Sequence, residues 1–215
     1  MATTRFADRR AAGEALGERL TATHSEWTDA VVLGLPRGGV LVAAGVAARL
    51  GAPLDVLVVR KLGLPWQPEL AMGAIAAVGE TIETVRVGSV LADARVDPET
   101  FERVRQQELV ELRRRETAYR GSRPPVTVAG RVVIVVDDGL ATGATMRAAV
   151  VAVRRQAPLG ITVAVPVGSP SACSALVDLV DELVCLSAPH TFRAVGQAYA
   201  DFTETSDAEV RAALA

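Results

Sequence analysis

The sequence VVIVVDDGLATGAT, residues 132–145, decides the fold class of this chain. Its run of valine and isoleucine predicts a strand that is buried on both faces, as in a parallel sheet. Asp137 and Asp138 follow the strand, and small residues at 141–145 then lead into a helix. Ligands of open α/β sheets bind beyond the carboxyl ends of the strands. This junction is therefore the candidate binding site.

The loop suits a phosphate, and the acids suit a sugar. Backbone N–H groups and hydroxyls at a helix N-terminus attract a phosphate dianion; here they belong to Ala141, Thr142, Gly143, Ala144 and Thr145. Gly143 permits a close approach of the backbone or a positive φ. Asp137 and Asp138 repel phosphate, but they suit ribose hydroxyls or a hydrated Mg²⁺ ion. The spacing fits a ribose 5-phosphate; the alternative is a capped helix without a ligand.

Apolar runs on both sides of this junction alternate with helical patterns. Buried strands are predicted at 30–35, 54–59, 160–167 and 182–186, and helices at 40–50, 146–155 and 171–180. This alternation predicts an α/β fold in which a parallel twisted sheet is flanked by helices. Further predictions are an amphipathic helix at 6–20, a loop at 63–68, strands at 74–78 and 81–87, and a charged helix from Asp97 to about Tyr119.

Composition excludes some classes of function. The 215 residues are 50% hydrophobic and 22% charged, which is enough for the core of one globular domain. A net charge of −2 argues against a nucleic acid partner. No apolar run reaches the roughly 20 residues that span a bilayer, so no membrane is expected, and the N-terminus is unlike a signal peptide. Cys173 and Cys185 are interpreted as small buried thiols in a reducing cytoplasm.

Residues 132–145 resemble the signature of type I phosphoribosyltransferases. Motifs along nearly the whole chain also resemble a bacterial family of predicted phosphoribosyltransferases of unassigned substrate; they lie at 6–13, 35–40, 58–63, 68–75, 136–146 and 192–202. The resemblance implies the type I fold with a small hood and a helical and strand insertion. It implies one domain, 1–215, with a core at about 28–62 and 126–187, a flexible loop and insertion at about 63–125, and a hood from about 1–25 and 188–215.

The resemblance also implies roles for particular residues. Asp137 and Asp138 would bind the ribose hydroxyls, or Mg²⁺ through water, and residues 141–145 would bind the 5-phosphate. A loop nearer the start of the chain would bind pyrophosphate and often contains a non-proline cis peptide; here it consists of Pro36, Arg37, Gly38 and Gly39. Lys61 would also reach the pyrophosphate. The candidate catalytic residues are thus Lys61, Arg37, Asp137 and Asp138. The alternatives are a tight glycine turn at 36–39 and solvated cations at the end of a strand.

Other residues have two interpretations each. The segment after Lys61 corresponds to a loop that closes over the site, where Trp66 is either a lid contact or packed. Glu69 either caps a helix beginning at Leu70 or contacts metal or substrate. Phe192 either stacks on the acceptor or belongs to the core. The segment at 63–75 departs from the Ser-Tyr loop of 6-oxopurine salvage enzymes, which argues against simple purine salvage.

The function implied by the resemblance is transfer of ribose 5-phosphate from 5-phosphoribosyl-1-pyrophosphate to an unidentified acceptor, with a nucleobase-like ring as the candidate. Pyrophosphate leaves, and Mg²⁺ is the expected cofactor. The alternative is a non-catalytic sensor that binds 5-phosphoribosyl-1-pyrophosphate or a nucleotide. Hydrolysis or phosphorolysis of a ribose phosphate is a third reaction type. A small-molecule acceptor and a homodimer are the expected partners, in the cytoplasm.

Overall fold

The computed structural model describes residues 5–23 and 27–215. Its strands are β1 (Ala30–Gly34), β2 (Leu54–Val56), β3 (Val59–Leu64), β4 (Gln67–Val78), β5 (Thr81–Arg86), β6 (Val132–Val136), β7 (Gly160–Val167) and β8 (Glu182–Ser187). Its helices are α1 (Arg9–Thr23), α2 (Gly38–Leu50), α3 (Gly88–Asp93), α4 (Pro98–Arg120), α5 (Ala144–Arg154), α6 (Pro170–Val177) and α7 (Asp207–Leu214), with a 3₁₀ turn at Val195–Ala198.

The central sheet has five strands in the order β2-β1-β6-β7-β8, and its neighbours all pair in parallel. The α/β fold with a parallel sheet flanked by helices is therefore confirmed. From β1 the chain crosses to β2 on one side, whereas from β6 it continues to β7 and β8 on the other. The topological switch point consequently lies between β1 and β6, which is where open α/β sheets bind ligands.

Helices cover both faces of this sheet, so its strands show no alternation of polar and apolar residues. On one face α1 and α2 pack against the sheet through Leu16, Leu20, Val42, Val46, Val32 and Ile134. On the other face α5 and α6 do so through Met146, Val150, Val153, Leu176, Val133 and Val163. Every residue of β1 is buried. The long apolar runs of the sequence thus reflect burial on two sides.

A second, antiparallel sheet of three strands has the order β3-β4-β5. It shares a core with α4 and α7 that includes Leu62, Met72, Ile75, Phe101 and Leu112. The predicted start of α4 is confirmed, because the Asp97 side chain accepts a hydrogen bond of 2.8 Å from the backbone N–H of Thr100. Asp97 therefore caps the helix as its position before Pro98 indicated.

A buried ion pair joins α4 to the edge strand β2. Asp55 and Arg120 are 4% and 7% exposed. Arg120 Nε donates to Asp55 Oδ1 at 3.1 Å, and the other carboxylate oxygen accepts from the backbone N–H of Val126 at 3.0 Å. Two charges so far from water are tolerated only when paired and hydrogen-bonded. This pair therefore fixes α4 against the central sheet.

Some predictions between residues 54 and 70 are wrong. The strand predicted at 54–59 is interrupted after β2, and most of the loop predicted at 63–68 belongs to the hairpin of β3 and β4. A Cβ at Gly63 would lie 2.4 Å from the Pro68 carbonyl oxygen, and the strand register shifts on both sides of this glycine. Glycine and proline thus mark a bulge and a close approach of two strands. The helix predicted from Leu70 is wrong because Glu69 and Leu70 lie in β4.

The two ends of the described chain meet. Phe6 and Tyr199 form a parallel bridge, in which Phe6 N–H donates to Ala198 at 2.7 Å and Ala200 N–H donates to Phe6 at 2.7 Å. The rings of Phe6 and Tyr199 lie 5.9 Å apart. This contact holds the start of α1 beside the segment that follows the 3₁₀ turn.

Candidate active site

Two loops meet at the carboxyl ends of β1 and β6. The first loop consists of residues 36–39, and the second loop of residues 139–145. The strands pair up to Gly34 and Val136, and Leu35 N–H then donates to the Val136 carbonyl at 2.9 Å. A Cβ at Gly39 would lie 2.8 Å from the Cα of Asp137. The first loop therefore packs directly on the acids, and only glycine leaves enough space for this contact. The expected cis peptide is present between Pro36 and Arg37.

The two acids have different surroundings. Asp137 Oδ1 accepts a hydrogen bond of 2.8 Å from the backbone N–H of Asp138. Burial and the negative charge of Asp138 raise the pKa of Asp137 well above its usual value. Burial also raises the pKa of Asp138, although the hydrogen bond from Arg9 acts in the opposite direction. Adjacent carboxylates in such a site need a cation or a donor nearby.

Arg9 supplies that cation, and the sequence did not identify it. Its Nε donates to Asp138 Oδ2 at 2.8 Å across 129 positions in the chain. The sequence of α1 does indicate that Arg9 has a buried partner, because Arg9 lies on the same face of the helix as Ala12, Leu16 and Leu20. A charged residue on the apolar face of a helix usually has a buried partner. The partner itself could not be read from that pattern.

The second loop leads into α5. Gly143 has a φ of 74°, so the conformational role expected for this glycine is present. The Ala141 carbonyl accepts a hydrogen bond of 2.7 Å from Ser169 Oγ, which anchors the loop to the start of α6. Ala141, Thr142 and Ala144 are exposed. The first N–H groups of a helix lack partners within the helix, so this turn can bind an anion.

The two candidate cations lie in different places. Arg37 is hydrogen-bonded to Glu204, whose side chain is 77% exposed. Lys61 is exposed in β3 and lines a groove of about 620 Å³ together with Thr145, Glu69 and Arg103. Within the described part of the chain, residues 36–39 are not in this groove's lining. Lys61 therefore lies near Thr145, at the end of the second loop.

The segment expected to form the hood also contributes a cavity. Phe192 is half-buried and lines a space of about 470 Å³ with Val167, Thr191, Arg193 and Gln197. Its neighbour Val195 packs on the second loop, since a Cβ at Gly139 would lie 2.6 Å from Val195 Cγ1. The segment that contributes Phe192 is thus in contact with the loop that follows the acid pair. His190 is exposed.

Trp66 lies at the turn of the β3–β4 hairpin and is 61% exposed. It is therefore not packed in the core. The alternative in which Glu69 caps a helix is excluded by its place in β4, where its side chain faces the groove of Lys61.

Both cysteines lie beside the second loop. A Cβ at Gly168 would lie 2.6 Å from Cys173 Sγ and 3.4 Å from Cys185 Sγ. They are half-buried rather than buried as expected. The hydrogen bond with Cys185 lowers the pKa of Cys173 to about 7.

The described residues contain no group of three or more histidine, cysteine, aspartate or glutamate side chains that could hold a metal ion. None of the helices in the described ranges is long and apolar enough to span a membrane.

The family model for the phosphoribosyl transferase domain matches residues 5–202. The chain therefore belongs to the phosphoribosyl transferase family. Its relatives include two curated proteins of Mycobacterium tuberculosis, from strains CDC 1551 and H37Rv, each named "putative phosphoribosyl transferase" and each 46% identical over 209 residues. These matches cover 97% of this chain but only 46% of each relative. The chain thus spans about half the length of these proteins.

Solved structures support the same fold. The protein TT1426 from Thermus thermophilus is 47% identical, with a TM-score of 0.86 over 98% of this chain and 97% of that chain. A hypothetical protein from Neisseria gonorrhoeae with bound ppGpp has a TM-score of 0.52 at 13% identity, covering 100% of this chain and 97% of that chain. At that identity the likeness concerns the fold alone.

Proposed function

We propose that the chain is a phosphoribosyltransferase that transfers ribose 5-phosphate from 5-phosphoribosyl-1-pyrophosphate to a small acceptor, with release of pyrophosphate. The observation that carries the proposal is the meeting of two anion-suited loops and an acid pair at the switch point between β1 and β6. The acid pair lies between the two loops, and a ligand with phosphates at both ends and hydroxyls between them matches this order.

Each part of the ligand has a proposed partner. The ribose hydroxyls face Asp137 and Asp138, and the 5-phosphate faces residues 141–145, where Gly143 opens α5. The pyrophosphate faces Gly38, Gly39 and Arg37 at the start of α2. Pro36 belongs to the same loop, which packs on the acids at Gly38 and Gly39. Lys61 is better placed for the 5-phosphate end, because it shares a groove with Thr145.

Mg²⁺ fits this site only together with the ligand. The acid pair offers carboxylate oxygens, but the described residues contain no set of three side chains that could hold a metal ion. Mg²⁺ usually binds through one or two carboxylates plus substrate phosphates and water. Asp137 and Asp138 would hold it, directly or through water, and when bound it would neutralise charge on the leaving pyrophosphate.

The chain's own contribution to the reaction is mainly orientation and electrostatics. The bond between ribose C1 and the pyrophosphate oxygen breaks while a bond to the acceptor forms. Negative charge then grows on the pyrophosphate, where Arg37 and the N–H groups of Gly38 and Gly39 stabilise it. To stabilise the pyrophosphate, Arg37 must release Glu204 and bind the ligand instead. Both loops are held by the sheet, so the two reactants keep their orientation.

The acceptor is proposed to bind near Phe192. The cavity of about 470 Å³ has an aromatic ring and the polar side chains of Arg193 and Gln197 in its lining. An aromatic face next to hydrogen-bonding groups suits a flat, nucleobase-like ring. Val195, three residues after Phe192, packs on Gly139, the residue that follows the acid pair.

Calorimetry with 5-phosphoribosyl-1-pyrophosphate and Mg²⁺ tests the binding step. We expect binding in the wild type, strong loss in the double variant Asp137→Asn with Asp138→Asn, and no change in Asp93→Asn, which is an exposed acid in α3. Absence of binding in the wild type would refute the proposal. Pyrophosphate release across a panel of bases then tests turnover. Tight binding without release for any acceptor would favour the sensor alternative.

We also propose that residues 1–215 form one domain, that it acts as a homodimer, and that it works in the cytoplasm. The family match over residues 5–202 supports the single domain. Light scattering on the purified chain measures the number of copies, and a monomer mass would contradict the dimer.

A further inference from the structure

Arg9 is the buried charged group of this site to which the proposed function gives no role. It is 9% exposed. Its Nε donates to Asp138 Oδ2 at 2.8 Å, and its Nη1 donates to the Thr203 carbonyl at 2.8 Å. Its guanidinium also lies 4.0 Å from the centre of the Phe202 ring. With two hydrogen bonds and one stacked face, this side chain has a single orientation.

Asp138 is consequently held from two sides. Arg9 binds its carboxylate, and Tyr199 Oη donates to its backbone carbonyl at 2.6 Å. Tyr199 in turn stacks on Phe202 at 5.1 Å. These groups come from α1 and from residues 199–202, and the carboxylate also packs on the first loop, where a Cβ at Gly38 would lie 2.0 Å from Asp138 Oδ2.

Asp137 is held differently. Its Oδ1 accepts from the backbone N–H of Asp138, and its Cα lies against Gly39. No contact with Arg9 is needed to orient it. The two carboxylates thus have different hydrogen-bond donors, and a change at Arg9 acts on Asp138 first.

We infer that Arg9 is a positioning residue for the ribose end of the site. It holds the Asp138 carboxylate in the orientation that receives a ribose hydroxyl. Through Thr203 and Phe202 it also attaches the C-terminal segment, residues 199–206, to that carboxylate. This inference rests on the proposed function, in which Asp138 binds the ribose.

The geometry explains why arginine and not lysine is at this position. One guanidinium provides separate N–H donors for Asp138 and Thr203 and a flat face for Phe202. A lysine ammonium keeps the charge but lacks the planar fork and the stacking face. Arg9→Lys should therefore retain only part of the effect.

A double-mutant cycle tests the inference. Calorimetry with 5-phosphoribosyl-1-pyrophosphate and Mg²⁺ compares the wild type, Arg9→Gln, Asp138→Asn and the double variant. We expect Arg9→Gln to weaken binding by about tenfold or more, the range for a lost charged hydrogen bond. Because Arg9 acts through Asp138, adding Arg9→Gln to Asp138→Asn should change affinity by less than about twofold. Arg9→Lys should fall between the wild type and Arg9→Gln.

The matched control is Arg10→Gln, an exposed arginine that follows Arg9 in α1 and should bind like the wild type. Inorganic pyrophosphate without Mg²⁺ serves as a second probe, because it lacks both the ribose and the metal ion that the acid pair is proposed to hold. Its affinity should be nearly unchanged in Arg9→Gln. An equal loss for both ligands would overturn the inference, since Arg9 would then act on the first loop, where it contacts Gly38.

The remaining outcomes are distinct. Additive effects of Arg9→Gln and Asp138→Asn would overturn the inference and leave the proposed function intact. Absence of ligand binding in the wild type would refute the proposed function, and the inference with it. If Arg9→Gln does not fold, Arg9→Lys alone and combined with Asp138→Asn gives the same cycle, and additivity there would again overturn it.

Discussion

Replacing Gly39 with alanine tests the contact between the first loop and the acid pair. The new Cβ would lie 2.8 Å from the Cα and Oδ1 of Asp137 and 2.9 Å from the Val136 carbonyl oxygen. Two of these atoms belong to the backbone, so the loop itself must move. Overpacking of this kind costs about 1–3 kcal/mol. Alanine in a helix recovers at most about 1 kcal/mol. Because backbone atoms must shift, we take the upper part of that cost, about 2–3 kcal/mol, and after the gain of about 1 kcal/mol expect the free energy of unfolding to fall by about 1–2 kcal/mol.

Urea denaturation measures this loss, and calorimetry with 5-phosphoribosyl-1-pyrophosphate and Mg²⁺ measures its effect on binding, which should weaken because the loop moves away from the acids. The matched control is Gly88→Ala, which also lies at the start of a helix. A Cβ at Gly88 would meet nothing within 4 Å, so this variant should be at least as stable as the wild type. If Gly39→Ala matches the wild type in both stability and ligand binding, the described contact between the first loop and Asp137 is wrong.

The other predictions concern a buried pair, a thiol and a surface carboxylate. Asp55→Ala removes one of the two carboxylate partners of the buried Arg120, leaving Glu116, and it also removes the acceptor of the Val126 N–H; we expect a loss of about 1.5–3 kcal/mol in urea denaturation. Because the hydrogen bond from Cys185 lowers the pKa of Cys173 to about 7, its alkylation by iodoacetamide should rise as the pH increases through about 7, and Cys185→Ala, which removes the donor, should move this rise to higher pH. Glu204→Gln should tighten pyrophosphate binding by about twofold to fivefold, because the arginine of the first loop is then free.

Each of these has an outcome that contradicts it. An unfolding midpoint of Asp55→Ala equal to that of the exposed control Asp93→Ala would show that the pair is not buried in solution. Mass spectrometry that finds Cys173 unmodified until well above neutral pH would contradict its lowered pKa. Unchanged or weaker pyrophosphate binding by Glu204→Gln would show that this carboxylate does not compete with the ligand.

The central sheet could be predicted because its strands are buried on both faces. A strand such as β6 is then a continuous run of apolar residues, and its order along the chain follows from the alternation with helices. The acid pair and the second loop follow β6 directly, so their place at the sheet edge was predictable as well. Gly143 and its positive φ belong to this local group of features.

The β3–β4 hairpin was not predictable in the same way. Glycine and proline at positions 63, 65 and 68 are typical of a loop, and only the partner strand shows that Gly63 accommodates a close approach. Arg9 and Glu204 were missed for a related reason. Each finds its partner in a segment 129 or 167 residues away, and no local pattern specifies such a pairing.

The bridge between Phe6 and Tyr199 has a consequence for protein synthesis. Tyr199 follows Asp138 by 61 positions, so at roughly 5–20 residues per second the ribosome adds it about 3–12 seconds later. The sheet that carries the acids can pair before then, whereas contacts of long sequence separation form late. During that interval the growing chain has the turn at 141–145 but an incompletely supported Asp138. The two parts of the proposed site are therefore completed at different times during synthesis, the turn first.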